Sequence, residues 1–83
     1  MYCYLVEKFD VDGELVQSVV GPFDSELEAL DTMKEEVKED FCFFNNKGEM
    51  ASYITKEDIK EITLFVNSEK HTTYKVLPLE RRD

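Results

Sequence analysis

Phe23-Asp24-Ser25-Glu26-Leu27-Glu28-Ala29-Leu30-Asp31-Thr32-Met33-Lys34-Glu35-Glu36-Val37-Lys38-Glu39-Asp40-Phe41-Cys42-Phe43-Phe44-Asn45-Asn46-Lys47-Gly48 is the stretch on which the fold turns. Leu27, Leu30, Met33, Val37, Phe41 and Phe44 recur at spacings of three and four, the pattern of a helix with one apolar side. Ser25 and Glu28 fit a capping box, and Asp24 is an equally legal N-cap. Asn45-Asn46-Lys47-Gly48 brings residues that tolerate left-handed backbone to the place a helix end needs them. The spacing predicts a helix over about residues 25–43.

Working outward, the flanks read as strands. Residues 2–9 and 14–20 are rich in Val, Leu and aromatics, and Asp12-Gly13 between them suits a hairpin turn. Gly21-Pro22 marks the end of the second strand. Beyond the helix, residues 49–54 show no firm period, and Thr55-Lys56-Glu57-Asp58 suggests a single helical turn at 56–60. Ile62–Val66 is the best strand of the chain. Ser68-Glu69-Lys70-His71 reads as a polar turn, and Thr72–Leu79 as a last strand in which Pro78 marks an end or an edge.

The expected fold is α+β over residues 1–83 as a single acidic domain. Its order is ββαββ: a four-stranded, mainly antiparallel sheet with one long amphipathic helix packed on one face. The other face has to be polar or meet a partner. Glu7, Ser18, Thr63 and Lys75 are candidates for a polar face, and Tyr2, Tyr4, Phe65 and Phe43 for hydrophobic anchors.

Charge is unevenly spread. Residues 1–40 carry twelve Asp/Glu against three Lys, while residues 41–83 balance seven acids with seven Lys/Arg, so the whole net charge of −9 belongs to the first half. One-sided charge selects cationic partners and speeds their encounter. At 100° per residue, Glu28, Asp31, Glu35 and Glu39 gather opposite the apolar stripe in a ridge about 16 Å long. Asp12 and Glu14 in the first turn extend the acidic patch. Asp31/Glu35 and Glu35/Glu39 are like-charge neighbours costing about 0.2–0.5 kcal/mol each, and Glu39 and Asp40 sit at the unfavourable end of the helix dipole. Two readings follow: a solvated face, or a carboxylate row that stands in for backbone phosphates and fills a basic groove.

Little else carries chemistry. Counted from Asp10, a calcium loop would need Gly and Glu where Leu15 and Gly21 stand. Nothing in the spacing brings Cys42 to His71 as a thiol–imidazole pair. No Gly-rich phosphate loop is present, and a basic groove for nucleic acid is missing. Phe41-Cys42-Phe43-Phe44 reads as a satellite cluster or, through Phe43, as a partner anchor. Met1–Lys8 lacks the basic start of a signal peptide, and no run of apolar residues would span a membrane. Cys3 and Cys42 are expected as reduced, buried thiols in a cytoplasmic protein.

Val20-Gly21-Pro22-Phe23-Asp24-Ser25-Glu26-Leu27-Glu28-Ala29 is similar to the strand-to-helix junction of SPOR-type domains, which bind septal peptidoglycan. That family's opposing βαβ half has no counterpart in the first hairpin, so no residue roles are carried over. In overall type, a very small acidic chain without catalytic groups, it resembles many phage and mobile-element proteins, including anti-defence inhibitors. The expectation is a non-enzymatic, cofactor-free and metal-free module, of phage or mobile-element inhibitor type. As a partial DNA mimic it would occupy a basic, nucleic-acid-binding surface of a larger host protein, without binding nucleic acid or membrane itself. The alternative is a structural domain that homodimerises through the helix-free sheet face, with no inhibitory role.

Overall fold

The computed structural model describes residues 2–58 and 60–80. The order is β1 (Tyr2–Phe9), β2 (Leu15–Phe23), α1 (Glu26–Asn46), β3 (Ala51–Lys56), β4 (Glu61–Val66) and β5 (Glu69–Glu80). All pairs are antiparallel, in the sheet order β2-β1-β5-β4-β3. The fold is therefore α+β with one helix against one antiparallel sheet. The sheet has five strands rather than four, and the order is ββαβββ rather than ββαββ.

The added strand is β3, where periodicity in the sequence was silent. It lies at the sheet edge, and hairpin pairing with the strongly β-forming β4 makes it a strand. The helical turn expected at 56–60 is replaced by the β3–β4 connection. Lys56 ends β3, Lys60 N–H donates to the Glu57 carbonyl at 3.4 Å, and Lys60 takes φ +50°. Ile59, within that span, lies outside the described residues.

α1 starts and stops for the reasons expected. The Ser25 hydroxyl accepts from Leu27 N–H (3.1 Å) and Glu28 N–H (3.4 Å). The helix runs three residues past the predicted end and closes in a Schellman motif: Gly48 at φ +83°, Gly48 N–H to Asn45 O and Glu49 N–H to Phe44 O. This extension moves Glu39 and Asp40 out of the last turn, where the dipole penalty fades.

Its buried face is Ala29, Met33 and Val37, against Val6, Ile62, Leu64, Tyr74 and Val76 of the sheet. Leu30, Phe41, Phe44, Tyr4 and Phe23 pack around this cluster. Leu27, assigned above to the stripe, is 68% exposed. Ala29 takes its place, because Ala29, Met33 and Val37 fall within about 80° of arc, whereas Leu27 is rotated about 120° from Met33.

The first turn is a three-residue loop. Asp10 N–H donates to Glu14 O, Gly13 N–H donates to Asp10 O, and Gly13 takes φ +85°. β2 continues through Gly21-Pro22 to Phe23 instead of ending there. As an outer strand it tolerates proline, and its register with β1 slips at three points. The β4–β5 turn is Asn67-Ser68, both at positive φ (53° and 68°), so Glu69, Lys70 and His71 belong to the strand rather than to the turn. Pro78 sits where β5 has only β1 beside it, since β4 pairing stops at Lys75. Because β5 carries one hairpin towards each of its ends, the molecule is long, 48 × 23 × 22 Å.

Candidate functional site

α1 carries its acids on two sides, and the sheet treats them differently. Glu36 and Asp40 look toward β1, where Lys8 Nζ lies 3.4 Å from Glu36 Oε2 and 3.0 Å from Asp40 Oδ2. The hydroxyl of Tyr74, fully buried on β5, donates to the same Asp40 oxygen. Glu26 pairs with Lys60 at 2.9 Å, near the surface. Asp40 therefore ties the helix to two strands. The sequence held a signal for this: position 40 falls between Val37, Phe41 and Phe44 on the core side of the helix.

The outward side is the opposite case. Glu28, Asp31, Glu35 and Glu39 are all exposed, and no ion pair among the described residues engages them. Glu28 does not return a bond to Ser25, so its carboxylate also stays on the ridge. Lys34 and Lys38 flank the row without pairing to it among the described residues.

The first turn adjoins the C-terminal end of this helix. Asp10 and Val11 share the wall of an open cleft of about 480 Å³ with Asp40, Phe43, Phe44 and His71. The Asp10 carboxylate is consumed locally, accepting from Asp12 N–H and Glu14 N–H at 2.9 Å each. This Asx arrangement is what the Asp-x-Asp-Gly pattern encodes here. Asp12 and Glu14 are exposed acids of the same turn.

The four anchor candidates do not form one patch. Phe43 is 52% exposed at the cleft, edge-on to Phe44 at 5.3 Å and with Lys47 Nζ 4.2 Å over its ring. Tyr4 packs against the core on the helix side, so it is not on the uncovered face as supposed above. Phe65 is half-buried on the helix-free side. The side chain of Tyr2 lies outside the description. Of the proposed polar face, Glu7 and Lys75 share the helix-free side half-buried, Thr63 lies on that side but is buried, and Ser18 is in register with Glu7.

Cys3 is buried and Cys42 is exposed on the outward side of α1, so only one of the two thiols is covered as expected. His71 stands in β5 with its ring 4.8 Å from Phe44 and Nδ1 2.6 Å from Thr72 Oγ1. Among the described residues no group of His, Cys, Asp and Glu is arranged to hold a metal ion. No helix among them is long and apolar enough to cross a membrane.

The internal network sets a pH limit. Burial, then the hydrogen bond to Asp40, push the Tyr74 phenol far above its ordinary value. Burial pulls Lys8 down, but the hydrogen bond and charge of Asp40, with Glu36, outweigh it and leave its pKa raised. Both folded values lie above the unfolded ones. Their stabilisation is thus complete below about pH 10 and is lost as pH rises further, up to about 1.4 kcal/mol per pH unit for the tyrosine. Urea denaturation between neutrality and strong alkali is expected to show stability falling only above that point, with a shallower fall in Tyr74→Phe. An identical fall in the variant would remove Tyr74 as its source.

Comparison with protein-family models, with curated proteins and with solved structures finds no match for this chain.

Proposed function

We propose that this protein is a non-catalytic binding module that seats the outward face of α1 on a basic surface of a larger protein. The observation that carries this reading is the sorting of the helix acids. The three that approach the sheet, Glu26, Glu36 and Asp40, are matched by lysines of this chain. The four on the ridge are left exposed and unmatched among the described residues, although lysine at Glu35 or Glu39 would have replaced like-charge neighbours and helped an isolated helix.

The preferred target is a groove built for a nucleic-acid backbone. Four carboxylates along about 16 Å copy its sign and line at lower density than the phosphates of one strand, about 3.4 Å apart. Asp12 and Glu14 widen the field past the helix end, and Phe43 offers an apolar contact within it.

The test is the quadruple variant Glu28→Lys/Asp31→Lys/Glu35→Lys/Glu39→Lys, with helicity checked by circular dichroism. Proteins captured by the wild type at low salt and released at high salt are expected to be lost by the variant, with affinity down about 100-fold or more. Capture of the same proteins by the folded variant, with unchanged salt dependence, rejects the reading.

A further inference from the structure

We propose that the helix-free face of the sheet is the contact surface for a second copy of this chain, joined about a two-fold axis that runs between β4 and β5 parallel to the strands. The proposal concerns the side of the molecule away from the acidic ridge and does not rest on the function proposed above.

It starts from strand register. Glu7 of β1 lies opposite Lys75 of β5, Lys75 opposite Glu61 of β4, and Glu61 opposite Lys56 of β3. Cross-strand partners share a face, and alternation places these residues opposite the buried Val6, Tyr74 and Ile62. Four adjacent strands therefore present the row Glu–Lys–Glu–Lys on the side without the helix. Among the described residues none of the four closes an ion pair within the chain; Lys75 lies instead over the Phe9 ring, 5.2 Å from its centre.

Read backwards, that row is Lys–Glu–Lys–Glu. A two-fold axis along the strands reverses the row and keeps its height along the sheet. Each charge then meets its opposite: Glu7 faces the second copy's Lys56, and Lys75 faces its Glu61. The neighbouring row obeys the same operation. Phe9, Thr73, Thr63 and Ile54 are in register across the four strands. Reversal sets Phe9 on Ile54, which is 55% exposed; Thr73 and Thr63, between them, are buried within the chain and take no part in the contact. Apolar meets apolar at the two outer strands, as an isologous contact requires. A two-fold axis across the strands would instead put every charge on its like.

The net charge does not forbid the pairing. Sheets stack about 10 Å apart with the helices outside, which holds the two acidic ridges roughly 40 Å from each other. That is several times the screening length of about 8 Å at physiological salt. The face is small, roughly 200 Å² in projection from strand spacing and rise, because β1 and β4 flank β5 together only over residues 73–75. It falls well short of the roughly 800 Å² per partner of a standard interface, so the expected dimer is weak, with dissociation from about 0.1 mM to about 1 mM.

Sedimentation equilibrium over roughly a hundredfold concentration range tests this. The wild type is expected to shift from monomer to dimer. Lys75→Glu alone and Glu61→Lys alone each put like charges face to face twice, and each is expected to weaken association about tenfold or more. Mixing the two variants restores unlike pairs at both positions, so the mixture is expected to associate within about threefold of the wild type. Lys56→Glu and Glu7→Lys read the outer pair in the same way if either inner variant fails to fold. A wild type that stays monomeric throughout overturns the proposal. So do single variants that associate like the wild type, or a mixture of natively folded variants that remains as weak as its components.

Discussion

Asp40→Ala lowers the unfolding free energy by about 3 kcal/mol, a large part of the total expected for a chain of this size. The carboxylate accepts the hydroxyl of a tyrosine that is fully buried, and without it that donor has no partner. Among the described residues Lys8 keeps Glu36, at 3.4 Å, as its ion-pair partner and the Tyr74 ring at 5.5 Å, for a charge that burial already disfavours. The cost is thus mainly that of stranded polar groups rather than of a lost attraction. A double-mutant cycle separates the two: in a Tyr74→Phe background the orphan hydroxyl is gone, and Asp40→Ala is expected to cost about 1–2 kcal/mol less. Chemical denaturation of the four proteins checks it, and additive effects would mean that Asp40 and Tyr74 do not stabilise one another.

Met33→Ala is expected to cost about 2–5 kcal/mol, and Leu27→Ala less than about 0.5 kcal/mol. Both residues fit the three-and-four spacing of the helix equally well. Met33 is 1% exposed in the centre of the core, and its truncation opens a void between α1 and the sheet. Leu27 is largely in solvent, so truncation removes little buried area. The comparison measures the rotation of the helix on the sheet. Equal costs for the two variants would mean that α1 presents a different side to the core.

These two pairs of residues also show where sequence reading stops. Local signals were legible: the Ser25 cap, the Asn45–Gly48 stop, the Asp-Gly hairpin and the β-rich run of β4 all act within a few residues of themselves. β3 was not, because Ala51–Lys56 mixes polar and apolar side chains on both sides, as an edge strand half-covered by a helix permits. The Asn67-Ser68 turn hid for lack of glycine, its place taken by an asparagine that tolerates left-handed backbone. Among the helix acids the sequence offers near-equivalent carboxylates, and which are neutralised depends on Lys8 and Lys60, 28 and 34 positions from Glu36 and Glu26.

The amino-acid order alone determined an α+β chain with one capped amphipathic helix, hairpins on both sides and a negative first half. Each of those is a property of near neighbours along the backbone: hydrophobic period, cap chemistry, turn chemistry and composition. The tertiary structure decided the sheet order β2-β1-β5-β4-β3, the choice of Asp40 as an internal tie, and the meeting of residues 7, 75, 61 and 56 in one alternating row. Those depend on strand register, and register is set by which side chains fill the core between the helix and the sheet, wherever in the chain they come from.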